Sequence, residues 1–111
     1  MKYTVNSKDK LKDIIQYICN INDKINLNWI DTSHLEDMSG LFEYSSFDGD
    51  ISEWDVSNVI DMNGIFKYSP FNQDISNWNI SVNCYRHNMF DNCPIKHKYM
   101  PGQIRKYYDY E

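Results

Sequence analysis

The sequence predicts an α/β fold, a short solenoid of about three 24-residue strand/short-helix repeats with an N-terminal capping helix. Three observations lead there. Ile51, Trp54 and Val56 recur 24 residues later as Ile75, Trp78 and Ile80. Leu27, Ile30 and Thr32 fill the same columns one period earlier. A fixed period of this size marks units too small to bury their own apolar face, which must pack on a neighbour. Finally, 111 residues with 41% hydrophobic and 15% aromatic content make one packed domain and leave no room for a second core. That domain spans 1–111, with a helical cap at 1–26, repeats at 27–95 and a C-terminal tail at 96–111.

Taken in chain order, the first element is a helix capped by Ser7, with Leu11, Ile14, Ile15 and Ile18 as its apolar stripe. It roofs the first repeat. Each repeat then opens with a short strand, because the spacing of Leu27, Ile30 and Thr32 matches the L-x-x-L-x-L strand of a leucine-rich repeat. Leu35, Met38, Leu41 and Phe42, and again Val59, Met62, Ile65 and Phe66, have the spacing of helical turns. Ser33 with Glu36 forms a capping-box pair for the first such helix, and Ser57 and Ser81 share the cap column. Phe47, Phe71 and Ile95 close the units. Asn83 and Arg86 interrupt the apolar columns of the third copy, as expected of a terminal repeat that frays. The tail, with Pro94, Pro101 and Gly102, reads as irregular cover.

The phrases "IDTSHLEDMSGLF", "WDVSNVIDMNGIF", "FDGDISEW" and "FNQDISNW" resemble the repeat of BspA-like leucine-rich-repeat surface proteins, and "NMFDNCPI" resembles their closing phrase. The resemblance covers residues 27 to 95 and implies a repeat scaffold used for adhesion or protein binding.

Charge is unevenly spread. The net charge is −5, yet residues 31–93 hold eleven acids against only Lys67 and Arg86. A body this acidic repels DNA and RNA, which argues against direct nucleic acid binding. The start of the chain lacks the apolar run of a secretory signal, and no stretch nears the 18 or so apolar residues of a membrane span. A cytoplasmic location is therefore expected, or the host cytoplasm for a phage-encoded protein. Three cysteines without a C-x2-C pair also fit a reducing compartment.

Cys84, His87, Cys93 and His97 have the spacing C-x2-H-x5-C-x3-H, which could supply a tetrahedral zinc site. Cys93 shares the column of Ser45 and Ser69, however, and Cys84 lies in a helix column, so packing accounts for both and no metal or other cofactor is assigned. No phosphate loop, nucleophile elbow or Ser/Cys–His pairing points to an enzyme. Asp50 recurs as Asp74, which suits a turn role better than a metal-binding pair.

Outward strand positions form the candidate partner-binding face: Trp29, Asp31, His34, Glu53, Asp55, Asn77 and Asn79. Strands about 4.8 Å apart bring Asp31 and Asp55 close, where two charges repel by about 1 kcal/mol in water. Trp29 stands one place before the Trp54/Trp78 column, where it is either an exposed anchor or a seal under the N-terminal helix. The function expected is a non-enzymatic protein–protein interaction module whose acidic face meets a basic protein surface. An alternative is a phage- or mobile-element-encoded inhibitor of a host nucleic-acid-processing defence enzyme, an anti-CRISPR-like nucleic-acid mimic. A further one is an adhesion-type repeat fragment.

Overall fold

Among the described residues, the α-helix and both strands lie within the first 31 positions, and the sequence shows why the helix forms there. In the computed structural model, which describes residues 2–108, β1 (Tyr3–Thr4) leads into α1 (Lys8–Cys19), and β2 (Ile30–Asp31) pairs with β1 in parallel. Met1 and Asp109, Tyr110 and Glu111 of the expected tail lie outside the described residues. Ser7 starts α1 because its extended backbone turns the hydroxyl onto the amide of Lys10, which donates to it at 3.1 Å. Leu11 and Ile15 are fully buried and Ile14 and Ile18 partly so, which fixes the helix on the body by its apolar stripe.

The solenoid of strand/short-helix repeats is not what the rest of the chain forms. Among the described residues there is one α-helix and one sheet of two two-residue strands; the expected strands of the second and third copies and all the expected short helices are absent. β2, moreover, pairs with the N-terminal β1 rather than with the next copy. In place of helices the chain makes consecutive tight turns. The amides of Leu41, Glu43 and Ser45 donate to carbonyls three residues back, at Met38, Gly40 and Phe42. The intervening amides of Met38, Gly40, Phe42 and Tyr44 point the other way, to the carbonyls of Asp61, Asn63, Ile65 and Lys67. Met62, Gly64, Phe66 and Tyr68 repeat this toward Tyr85, His87, Met89 and Asp91. The physical reason is backbone handedness. Gly40 and Gly64 (φ +62° and +64°), with Asn88, Tyr44, Tyr68 and Asn92, sit in the left-handed region, which ends any right-handed helix.

The predicted caps fall with the helices. Ser33 and Ser57 do not start helices; their amides donate to Asp31 and Asp55 in turns closed by the aspartate side chain. In the third copy Asn83 donates to the Ser81 hydroxyl. That copy is not frayed either. Cys84 and not Asn83 takes the buried place, Met89 and Phe90 are buried too, and Met100 and Ile104 from the tail belong to the same core. The tail forms two short 3-10 turns, His97–Tyr99 and Arg105–Tyr108.

One core runs through the molecule. Phe42, Phe66 and Phe90 stack at 5.3 and 5.8 Å with nearly parallel rings, flanked by the Phe47–Phe71 and Trp54–Trp78 pairs. The recurring Trp has a second use. Trp54 Nε1 donates to the Leu27 carbonyl at 2.9 Å and Trp78 Nε1 to the Ile51 carbonyl at 3.0 Å. Each indole thus buries its ring and satisfies a buried carbonyl of the preceding segment. A radius of gyration of 12.9 Å is about that of a compact chain of this length.

Candidate functional site

Six aspartates followed two places on by Ser or Asn organise the polar surface. Asp31, Asp37, Asp50, Asp55, Asp61 and Asp74 each accept the amide of the residue two further on, at 2.8–3.0 Å. Recurrence assigns Asp50 and Asp74 to turns; Asp31 and Asp55, and Asp37 and Asp61, recur at the same 24-residue interval, and the D-x-S/N spacing is the signal all six share.

At Asp31, Asp37, Asp50, Asp55 and Asp74 these bonds favour the ionised carboxyl. Asp31 and Asp55 are pushed below the usual aspartate range, first by the hydroxyl and then by the amide of Ser33 and of Ser57. For Asp50 the Ser52 amide leads, and for Asp74 the Ser76 hydroxyl. At Asp37 desolvation works in the opposite direction and is outweighed by the Ser39 bonds and by Lys8.

Asp31 is half-buried while Asp55 and Glu53 are exposed, and the charge of Asp31 acts on Asp55 against its ionisation. Lys2 relieves part of that repulsion. The copies are locked in register here. Thr32 Oγ1 donates to the Asp55 carbonyl at 2.9 Å, Asn58 Nδ2 to the Ser33 carbonyl at 2.7 Å, and the Glu53 amide to Asn28 Oδ1 at 2.9 Å. His34 is exposed. Trp29 is 42% exposed and meets Tyr3 at 6.4 Å between ring centroids, so it packs on β1 rather than beneath α1. Asn79 accepts from Gln103 of the tail at 3.1 Å, and Asn77 borders a shallow hollow with Asp50, Ser52, Gln73 and Asp74.

The four residues with zinc-like spacing are not brought together. No group of three or more potential metal ligands occurs among the described residues. The Cys84 thiol donates to the Tyr85 carbonyl and the Cys93 thiol to the Phe71 carbonyl; His97 Nε2 faces the Arg105 carbonyl and His87 is exposed. Burial raises both thiols, Cys93 to about 11, which keeps them protonated.

The sequence reading passed over a pair of exposed tyrosines. Tyr44 and Tyr68 stack with centroids 5.1 Å apart and planes 6° from parallel, and Tyr44 borders a hollow of about 360 Å³ between α1 and the first copy. Their 24-residue spacing was visible; their outward direction was not.

No helix among the described residues is long and apolar enough to cross a membrane. No curated protein and no solved structure matches the chain. The family model described as "Mycoplasma protein of unknown function, DUF285" matches residues 9–100, and with most of its length so covered the chain belongs to that family.

Proposed function

We propose that this chain is a non-enzymatic protein-interaction module, related to BspA-like surface proteins, that presents Asp31, Glu53 and Asp55 to a basic surface of a protein partner. The observation that carries this reading is the fixed, ionised Asp31–Asp55 pair. Both carboxylates are held by Ser33 and Ser57 while the Asp31 charge still bears on Asp55. A cation from a partner would remove that repulsion and find the acceptors already oriented. The free cysteines Cys19, Cys84 and Cys93 fit a working place in a reducing compartment such as the cytoplasm.

Salt tests the reading. Exposed charges are screened beyond about 8 to 10 Å near physiological ionic strength, so association with the partner should slow steeply as salt rises. In Asp31→Asn/Glu53→Gln/Asp55→Asn protein the rate should be low and nearly independent of salt. A wild-type rate unmoved by salt would exclude the acidic face as the contact.

A further inference from the structure

The left-handed backbone positions fall into two sets that the sequence fills in opposite ways. At 40, 64 and 88 stand Gly, Gly and Asn, the residues that tolerate this conformation best. At 44, 68 and 92 stand Tyr, Tyr and Asn, although bulky side chains are the least suited to it. Core packing gives no reason for the tyrosines, since Tyr44 is 74% and Tyr68 45% exposed. Two strained aromatic residues are thus held outward and stacked on each other, where asparagine serves at the third equivalent place.

The surroundings of Tyr44 say what the ring can meet. It borders the 360 Å³ hollow whose rim is Lys12, Gln16 and Asn20 on one side and Glu43 and Ser46 on the other. Tyr68 stacks on Tyr44 but does not line the hollow. The side chains of Gln16, Asn20 and Ser46 make no hydrogen bond among the described residues, and the rim's single cation and single anion leave it without net charge. An aromatic face, neutral amide and hydroxyl groups around it, and a volume at the small end of ligand sites fit a neutral polyol with one apolar face. A phosphate-bearing ligand would meet only one cation in an acidic molecule.

We propose that this hollow is a binding site for a neutral mono- or disaccharide. The sugar's C–H face lies on the Tyr44 ring and its hydroxyls take Gln16, Asn20 and Ser46. The site shares no residue with the acidic face and stands independently of that reading.

Titration of the full chain with cellobiose, maltose and N,N′-diacetylchitobiose, followed by protein NMR, tests it. At least one sugar should shift the side-chain amide signals of Gln16 and Asn20. Tyr44→Asn, which copies the third position, should weaken binding at least about tenfold with an unchanged or raised melting temperature, because it removes strain. Gln16→Ala, on the exposed side of α1, should also weaken binding without loss of stability. The proposal is overturned if no sugar shifts these signals at about 10 mM, or if Tyr44→Asn binds as wild type.

Discussion

Phe66 is the middle ring of the Phe42–Phe66–Phe90 stack. It is fully buried and touches Phe42, Phe71, Trp78 and Phe90 at centroid distances of 4.4–6.0 Å. Truncation leaves a cavity whose aromatic walls cannot all close in, so Phe66→Ala should lower the unfolding free energy by about 3 to 5 kcal/mol in urea melts. An unchanged midpoint would remove Phe66 from the core. Gly49 is constrained by space, not by handedness. A methyl group there would run into the Ile25 carbonyl and the edge of the Phe47 ring. Backbone cannot swing aside as a long side chain does, so Gly49→Ala should cost about 1 to 3 kcal/mol. Gly102→Ala, with open space around it, should change stability by less than about 0.5 kcal/mol by the same measurement.

At the scale of elements, apolar columns were legible and backbone form was not. Every inward position aligned from the period in the first two copies, from Leu27 and Ile30 to Phe71, is buried. The error lay in reading spacings of three and four as α-helix. A run of tight turns gives Leu35, Met38, Leu41 and Phe42 the same inward direction, and only the left-handed positions, led by Gly40 and Gly64, distinguish the two. Aspartate spacing was informative but underused: six carboxylates that could be taken for surface charge close turns. The sequence led to the expectation that the N-terminal helix roofs the first repeat, but not to which charges meet there: Lys8 pairs with Asp37 at 3.3 Å and Lys24 with Asp48 at 3.2 Å. The candidate site divides in the same way, since the strand-column acids were found from the period while the Tyr44 hollow depends on where α1 docks.

These turns carry a pH dependence. Asp31, Asp37, Asp50, Asp55 and Asp74 have lower pKa values in the fold than ordinary aspartate. The native state therefore favours the ionised form. Its contribution is complete above the unfolded value of about 3.9 and is lost as pH falls through the lower folded values. The melting temperature should hold level from about pH 7 to 5 and decline below about pH 4. A melting temperature that rises on acidification through that range would mean that the carboxylates oppose folding.

The whole molecule is a single core with charge distributed around it. Its extents are 37 × 26 × 21 Å, and the acids of its middle are answered only in part, by lysines of the N-terminal segment and by Arg105 acting on Asp74. What remains unpaired on the Asp31–Asp55 side is the basis for expecting a basic partner. The most direct test is quantitative affinity capture from native cells with wild-type protein and with Asp31→Asn/Glu53→Gln/Asp55→Asn protein of matched melting temperature. The wild type should retain a protein with a basic surface, released by salt, and the variant should retain it at least about tenfold less. Equal retention of the same protein by both, or retention indifferent to salt, would contradict an acidic docking face.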